Sequence, residues 1–325
     1  MFFEGSEKKA EIIVAANSIN LLTDIADSFW QDMVTHAKAQ ILSSISNEHC
    51  KAYLLSESSL FVWPDRLLII TCGTTRLVSA VEFFLRQHEP KTIQQVIYQR
   101  KNEYFAHSQP TSILDDITAL NEFHSGTTYR FGELDSHHGY LFSMDVDFKA
   151  QNSDRTYELL IYQINQQAVT ALTKEGLNNS AIFNYLKLDQ ILENFTVDDY
   201  VFEPFGYSLN AISKTGDYFT VHVTPHAHSS YISVESNIDL LEYLDLFLDT
   251  LQPASFDLMT YNDEDFQEKI REHVPNHFVA KELVAFRLDS DYEVRFASFI
   301  RPQSSFTSPT KISTTTIEGE THYVL

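Results

Sequence analysis

Short runs of apolar residues, separated by polar and turn-forming residues, recur along most of the chain. Runs of this kind predict β-strands. Two turn segments, Lys214–Asp217 and Asp289–Asp291, each separate a pair of such runs and predict hairpins. The predicted strands are Ile12–Ala16, Ala52–Leu55, Leu67–Thr71, Val96–Tyr98, Tyr140–Phe142, Leu159–Ile161, Phe219–Val223, Tyr231–Val234 and Val284–Phe286.

Longer segments have apolar residues at helical spacing and predict helices. These segments are Asp27–Ile45, Thr74–Gln87, Thr111–Phe123 and Ile238–Leu251. No repeated segment is evident in the sequence. Strands joined mostly by hairpins, with helices covering one face, predict an α+β layered fold. We expect the Ser- and Thr-rich residues 301–325 to form a mobile tail.

Composition narrows the classes of function. The 325 residues carry a formal net charge of −22, which disfavours binding to nucleic acid because phosphates would be repelled. No apolar run approaches the ~20 residues of a membrane span, and the N-terminus lacks the basic and apolar regions of a signal peptide. The only cysteines are Cys50 and Cys72, which favours a cytoplasmic protein over a disulfide scaffold.

Two polar motifs lie at the ends of predicted strands. The segment Ser56–Ser59 separates two apolar strand halves and, on composition alone, is typical of a tight turn. Cys72 follows the strand Leu67–Thr71, and Gly73–Thr75 is predicted to open a helix with one of its threonines as the cap. A helix N-terminus lowers the pKa of a nearby thiol, so Cys72 is a candidate reactive cysteine. A buried structural cysteine is the alternative.

Two further motifs suggest chemistry that the sequence supports poorly. Gly206–Asn210 lacks the second glycine of a nucleophile elbow, which argues against a serine hydrolase. His222, His226 and His228 would share one face if a strand continued through Pro225. Proline disrupts strands and no acidic or cysteine ligand is near in sequence, so we predict no metal site.

Acidic residues alternate along one predicted strand. Asp154, Thr156 and Glu158 point to the same side if this segment is extended. If that side is covered, the two carboxylates require a cation.

Together, several segments resemble the eukaryotic-type S-adenosylmethionine decarboxylase family, in motif order and in spacing. The resemblance extends over residues 1–300, which we predict to form a single domain. The matching motifs are Phe2–Lys8, Leu55–Ser59, Cys72–Thr75, Tyr98–Asn102, Gly206–Asn210, His222–Pro225 and Ser230–Glu235.

The resemblance implies a fold and a reaction. The family fold is a four-layer α/β/β/α sandwich of two antiparallel sheets with helices on the outer faces. Its members cleave themselves, here between Glu57 and Ser58, into a β chain of residues 1–57 and an α chain of residues 58–325. Ser58 would become a pyruvoyl group, which forms a Schiff base with S-adenosylmethionine and accepts electrons when CO₂ leaves. No pyridoxal phosphate and no metal are expected. The product is the aminopropyl donor for spermidine and spermine synthesis.

The resemblance also implies roles for individual residues. His222 corresponds to the base of the self-processing reaction, and Ser208 to its hydrogen-bonding partner. Cys72 corresponds to the general acid that returns a proton to the substrate after decarboxylation. Glu7 and Glu4 correspond to acidic residues near the site.

Substrate-binding residues follow in the same way. Phe3 and Phe202 correspond to the aromatic residues that sandwich the adenine ring. Glu57 and Leu55 are implied to contact the substrate, Glu57 through its backbone. His226 stands where relatives carry a glutamate that binds the ribose hydroxyls, and a neutral imidazole cannot accept two such hydrogen bonds.

An activator site is implied in part. Relatives bind the diamine putrescine through an acidic cluster, and Ile70 replaces a lysine that links this cluster to the active site. We therefore expect putrescine to bind with weak or altered activation, and we expect a homodimer. The corresponding cluster residues are Glu11, Asp154, Thr156, Glu158 and Glu235.

Two alternatives remain open. The chain could be a pyruvoyl-dependent decarboxylase of another amino acid, such as ornithine or arginine, with His226 reflecting the different substrate. It could instead be a non-catalytic regulatory paralogue, although such paralogues typically lose the serine found here at Ser58.

Overall fold

Two antiparallel sheets of eight strands each form the centre of the molecule. The computed structural model describes residues 7–101, 103, 106–134, 137–226, 229–303 and 306, together with the backbone of 313–317 and 320–324. Among these residues, no helix is long and apolar enough to cross a membrane.

The first sheet is built from the N-terminal half of the chain. Its strands lie in the order β2-β3-β4-β5-β1-β6-β8-β7. The elements of this half are β1 Glu7–Val14, α1 Asp27–His36, β2 Ile41–Ser46, β3 Lys51–Leu55, β4 Ser58–Val62, β5 Arg66–Cys72, α2 Leu77–Gln87, β6 Ile93–Lys101, α3 Ile113–Asn121, β7 Gly126–Gly132 and β8 His138–Met144.

The second sheet repeats this order with the C-terminal half, as β10-β11-β12-β13-β9-β14-β16-β15. Although no repeat is evident in the sequence, each strand of the second half occupies the place of the strand eight positions earlier. The elements are β9 Thr156–Tyr162, α4 Gln166–Leu172, α5 Asn179–Tyr185, β10 Phe195–Val201, β11 Tyr207–Ser213, β12 Tyr218–Thr224, β13 Tyr231–Ser236, α6 Leu244–Leu251, β14 Ser255–Tyr261, α7 Phe266–His273, β15 Val279–Arg287 and β16 Glu293–Ile300.

Short 3₁₀ helices and one terminal hairpin complete the described elements. The 3₁₀ helices are Pro90–Thr92, Ala106–Ser108, Leu188–Gln190 and Leu240–Tyr243, and the hairpin pairs β17 Ser313–Ile317 with β18 Glu320–Val324. The hairpin lies in the Ser- and Thr-rich tail, whose mobility stays a prediction.

Period-two alternation divides the side chains of each sheet between two cores. In the first sheet, Ala10 and Ile12 face α1, α2 and α3, where they pack with Trp30 and Phe84. In the second sheet, the corresponding outer face packs against α4 to α7. This arrangement is the predicted α/β/β/α sandwich.

The inner faces meet in a layer that is apolar only in patches. One patch surrounds Phe61, Ile70 and Tyr218, and another surrounds Leu141 and Phe296. Between and beside them lie buried hydroxyl, imidazole, carboxylate and ammonium groups. Buried polar groups lower the stability of a protein unless they have partners. Their concentration in this layer therefore indicates that a functional site lies there.

Both predicted hairpins and the predicted strands are confirmed, except that Ile12–Ala16 extends two residues beyond the end of β1 at Val14. The helix predicted over Asp27–Ile45 is wrong in its second half, since α1 ends at His36 and Ile41–Ser46 forms the edge strand β2. The chain leaves the helix at Lys38, which has a left-handed φ of 63°. The helical spacing of Met33, Ala37 and Ile41 thus spans two different elements.

Candidate active site

Ser58 begins β4 in a strained backbone conformation. Its φ is 137°, a value that residues with side chains rarely adopt. Simple alternation would place the side chain with Leu60 and Val62, which face the helices. Instead, Ser58 and its neighbour Ser59 both direct their hydroxyls to the inter-sheet layer. The unusual φ accompanies this exception to alternation.

His222, on the facing sheet, is the centre of the site. Its Nε2 lies 2.9 Å from Ser58 Oγ, and its Nδ1 lies 2.8 Å from Ser208 Oγ. Burial lowers the pKa of His222 to about 3. The imidazole is therefore neutral near pH 7 and able to accept a proton.

Three further polar groups fix this arrangement. Asn210 Oδ1 accepts hydrogen bonds from Ser59 Oγ at 2.5 Å and from Thr220 Oγ1 at 3.0 Å. Asn210 Nδ2 donates to the backbone carbonyl of Tyr53 on the opposite sheet at 3.0 Å. Thr220 Oγ1 also lies 3.0 Å from His222 Nε2. Hydrogen bonds between the sheets thus fix the position of the imidazole relative to the serine hydroxyls.

The carbonyl that precedes Ser58 is also held. Glu57 O accepts a hydrogen bond from Cys72 N at 3.0 Å, and Cys72 Sγ lies 3.5 Å from the same oxygen. The carbon of the Glu57–Ser58 peptide bond therefore lies between a hydroxyl with a nearby base and a donor to its oxygen.

The expected helix-terminal environment of Cys72 is wrong. Its strand ends at Cys72 as predicted, but α2 begins only at Leu77 with Arg76 at its cap position. Thr75 Oγ1 instead donates to Thr71 Oγ1 and Cys72 O. Burial, followed by the charges of the glutamates at positions 57 and 7, raises the pKa of the Cys72 thiol. The thiol is therefore protonated near pH 7, which suits a proton donor.

Glu7 lies beside Cys72, because the two residues are partners in the β1–β5 pairing. Ser233 Oγ donates to Glu7 Oε2 at 2.7 Å from the opposite sheet. Burial raises the pKa of Glu7, although Lys101 and this hydrogen bond oppose the rise. The structure therefore places Glu7 next to Cys72, with Ser233 as a partner that the sequence did not single out.

A charged cluster lies deeper in the inter-sheet layer. Lys9 Nζ lies 2.8 Å from Glu235 and 3.0 Å from Glu158, and Lys101 pairs with the second oxygen of Glu158. Burial alone would raise the pKa of Glu158, but Lys101 and Lys9 outweigh it and lower the pKa to about 2. Burial raises the pKa of Glu235 to about 7 against the opposing effect of Lys9.

The remaining predicted activator residues line a neighbouring cavity. Arg66 bridges Glu11 at 3.1 Å and Asp154 at 2.8 Å. The cavity has a volume of about 340 Å³, and Thr156 and Glu235 also line it. The structure thus brings the predicted acidic residues together around cations of the chain itself. Lys9 is the Cα partner of Ile70 across β1 and β5.

The predicted nucleoside-binding residues are only partly described. Phe202 is half-buried and packs against Tyr200 with ring centroids 4.8 Å apart. His226 Nδ1 lies 3.1 Å from Ser229 Oγ. Leu55 is buried in the core beneath the helices. Phe3, Glu4 and His228 lie outside the described residues.

Sequence analysis missed several polar residues that complete the site. Thr220 precedes His222 by two positions on β12, and Asn210 follows Ser208 by two on β11. Since residues two apart share a strand face, this spacing was the available signal. The lysine at position 9 gave no such signal, because its partners come from distant strands.

Comparisons with known proteins identify the family of the chain. Residues 1–300 match the family model described as adenosylmethionine decarboxylase. The S-adenosylmethionine decarboxylase proenzyme of Trypanosoma cruzi is 33% identical over 283 residues, which cover 81% of this chain and 76% of the relative. The Xenopus laevis proenzyme is 29% identical over 331 residues, covering 94% of this chain and 97% of the relative.

A solved structure is similar in fold. The crystal structure of the Trypanosoma brucei AdoMetDC-delta26 monomer superposes with a TM-score of 0.57 at 22% sequence identity. The superposition covers 75% of this chain and 99% of that chain. This similarity supports the four-layer architecture.

Proposed function

The chain belongs to the adenosylmethionine decarboxylase family, and we propose that it is a self-processing enzyme that converts S-adenosylmethionine to decarboxylated S-adenosylmethionine for polyamine synthesis. The observation that carries the proposal is the contact of Ser58 Oγ with His222 Nε2 at 2.9 Å, next to a Glu57 carbonyl held by Cys72. This geometry fits the formation of a pyruvoyl group from Ser58.

Processing begins with an acyl shift within the chain. Ser58 Oγ attacks the carbonyl carbon of Glu57, an ester bond forms, and the peptide C–N bond breaks. The developing charge on the Glu57 oxygen is stabilised by the N–H of Cys72. If Nδ1 of His222 carries the proton and donates it to Ser208, Nε2 is free to accept the proton of the attacking hydroxyl.

Elimination then releases the two chains. His222 removes the α-proton of Ser58, the bond between Cβ and the ester oxygen breaks, and Glu57 leaves as a carboxylate. Water hydrolyses the resulting dehydroalanine through its imine form and releases ammonia, which leaves a pyruvoyl group on the chain that starts at position 58. The imidazole of His222 is neutral near pH 7, because burial lowers its pKa, and it can therefore accept this proton.

The chain's own residues support the second reaction as well. The pyruvoyl group supplies the electron sink for the carbanion that remains when CO₂ leaves. Cys72 is positioned beside Ser58 and carries a proton near pH 7, so it can return that proton to the substrate carbon. Glu7 lies at the next strand, where it can orient the reacting groups.

Substrate choice is supported by the names of the relatives from Trypanosoma cruzi and Xenopus laevis, both of which are S-adenosylmethionine decarboxylase proenzymes. The half-buried ring of Phe202 is available to stack on adenine, and we propose Phe3 as the second ring and His226 as a contact of the ribose. Decarboxylation of ornithine or arginine is not favoured, because these substrates have no nucleobase that could stack on an aromatic ring.

We propose that putrescine is not required for activity. Lys9, paired across the strands with Ile70, supplies an ammonium group between Glu158 and Glu235. Arg66 pairs with Glu11 and Asp154, and Lys101 pairs with Glu158. A diamine would therefore enter a site whose carboxylates already have cationic partners, which supports weak activation.

We also propose a cytoplasmic homodimer. The edge strand β15 exposes Val279 by 50% and Leu283 by 57%, and such an exposed apolar edge favours association with a second copy. Both described cysteines are free, in keeping with a reducing compartment. Light scattering of the purified protein tests the dimer.

The intact mass of the denatured protein tests the main proposal. We expect two chains that meet between Glu57 and Ser58, with the larger carrying a pyruvoyl terminus, and CO₂ release from S-adenosylmethionine but not from ornithine or arginine. The Ser58→Ala variant is the control and should stay intact. A single uncleaved wild-type chain without activity would contradict the proposal and revive the regulatory paralogue.

A further inference from the structure

Tyr231 presents a buried hydroxyl group without a hydrogen-bond partner among the described residues. The residue begins β13 and is only 4% exposed. Its inner-face neighbours on the same strand are Ser233 and Glu235, both of which have partners. A buried unpaired hydroxyl destabilises the folded state, and a ligand that accepted a hydrogen bond from it would remove this cost.

The hydroxyl lies close to the reacting end of the site. Ser233, two residues along β13, bonds Glu7 and is the cross-strand partner of His222. Burial and then the charges of Glu7, Glu158 and Asp257 raise the pKa of Tyr231, and Cys72 contributes in the same direction. The phenol therefore remains a protonated donor at any physiological pH.

The ring has a separate structural role. Tyr231 and Tyr162 are partners in the β13–β9 pairing, and their ring centroids are 5.4 Å apart. Together with Leu160 they form a small apolar cluster. A phenylalanine would preserve this packing, so the hydroxyl can be removed alone.

We propose that the Tyr231 hydroxyl donates a hydrogen bond to the α-carboxylate of the substrate, the group that leaves as CO₂. This inference rests on the proposed decarboxylase function. Near this end of the described inner faces, Lys9 and Lys101 are already paired with Glu158. Lys8 is turned to the other side of the sheet, where it donates to Gly73 O. On β13, the described donor without a partner is therefore a neutral hydroxyl.

A neutral donor suits a carboxylate that must be lost. An ion pair would stabilise the charged carboxylate of the bound substrate more than the transition state, in which that charge moves towards the α-carbon. A single hydrogen bond from a phenol can orient the carboxylate without this penalty. The burial of Tyr231 also keeps water from competing for the same oxygen atoms.

The test is Tyr231→Phe, with Tyr207→Phe as the matched control. Tyr207 is also buried, but it faces the helices and its hydroxyl donates to Asp199 at 2.7 Å. Each variant is examined for self-cleavage by mass, for thermal unfolding, for kcat/KM with S-adenosylmethionine, and for inhibition by decarboxylated S-adenosylmethionine, which lacks the carboxylate.

We expect Tyr231→Phe to cleave itself normally and to unfold at the same or a higher temperature, because an unpaired hydroxyl is removed. Its kcat/KM should fall by about 10- to 100-fold, as for the loss of a hydrogen bond to a charged group. The inhibition constant of the decarboxylated compound should change less than about twofold, since that ligand cannot make the bond. Tyr207→Phe should show the reverse, with a lower unfolding temperature and an unchanged preference between the two ligands.

Three results would overturn the inference: an unchanged kcat/KM in Tyr231→Phe, an equal loss of affinity for both ligands, or a failure of this variant to cleave. The last would assign the hydroxyl to maturation instead. Failure of the decarboxylase proposal itself is distinguishable, because the wild-type protein would then release no CO₂ from S-adenosylmethionine.

Discussion

The two halves of the molecule share one topology but contribute different chemistry. In the first half, Ser58, Cys72 and Glu7 come from β4, β5 and β1, and these include the groups that would be converted or that act on substrate. In the second half, the corresponding layer supplies His222 and Ser208, the groups that would carry out the conversion. Although the topology is repeated, the described residues of the two halves do not form equivalent sites, because the serine, thiol and imidazole groups meet in one place between the inner faces.

Removal of His222, the base contributed by the second half, should have the largest effect on self-cleavage of the first half. We expect His222→Ala to slow cleavage at Ser58 by about 100-fold or more, because general-base catalysis commonly contributes 10²- to 10⁴-fold. A time course of intact mass after synthesis measures the rate. His88→Ala is the control, since His88 packs on Phe84 in the helical layer of the other half. Wild-type cleavage in His222→Ala would remove the base from the proposed mechanism.

The charged cluster gives the next largest effect. Lys9→Met leaves Glu235 and one side of Glu158 without their buried cation, and such losses typically destabilise by about 3–5 kcal/mol. We expect putrescine to restore part of this loss in the variant but to have little effect on the wild type. Urea unfolding with and without putrescine, carried out in the uncleaved Ser58→Ala background, measures both, and the exposed Lys91→Met should match the protein with an unchanged lysine. Equal putrescine effects in wild type and Lys9→Met would contradict the role of Lys9.

The pH dependence of the free energy of unfolding tests whether the buried imidazole of His222 on the second sheet is neutral. His222 has a folded pKa of about 3, against ~6.5 for an unfolded histidine. Between these values the unfolded chain binds a proton that the folded chain does not. The contribution of His222 to the free energy of unfolding should therefore fall with decreasing pH below about 6.5, by up to ~1.4 kcal/mol per unit, while the raised pKa of Glu235 acts in the opposite direction.

This pH contribution is isolated in uncleaved protein. Urea unfolding of Ser58→Ala and of the double variant with His222→Gln, measured from pH 7 to pH 4, should show a shallower decline in the double variant. Parallel declines would mean that the buried imidazole is not the group responsible.

The smallest expected effect concerns the cysteines. Burial raises the pKa of both Cys72 and Cys50, that of Cys50 to about 12. We expect iodoacetamide at pH 7.5 to alkylate the folded protein at less than about one tenth of the rate in urea, because the thiolate is the reactive form. Mass analysis of peptides measures each site, and rapid labelling of Cys72 alone would show that it is a thiolate instead of a proton donor.

Sequence patterns predicted most of the scaffold for a physical reason. Alternation and helical spacing are local, so Phe219–Val223 and the hairpin at Lys214–Asp217 were within reach of the sequence. The end of α1 at His36 was not, because the residues beyond it continue a helical spacing by coincidence.

The site was predictable only where a family motif exposed it. Ser208 and His222 were identified by resemblance, and the structure adds their contact. Ser58 breaks the alternation of its own strand, so no periodic pattern could place its hydroxyl on the inner face. The role of Lys9 depends on β1 lying between β5 and β6, an order that strand prediction alone does not give.

The position of β1 in the middle of its sheet affects whether the protein could refold after self-cleavage. Cleavage after Glu57 would leave β1, β2 and β3 on the short chain, while β5 and β6, the neighbours of β1, belong to the long chain. The short chain would thus be threaded through the middle of a sheet made by the other. The precursor folds as one chain, but the mature protein would have to reassemble from two separate ones. After maturation, the stability of the protein would therefore be kinetic: it would depend on a slow rate of unfolding and not on a reversible folding equilibrium.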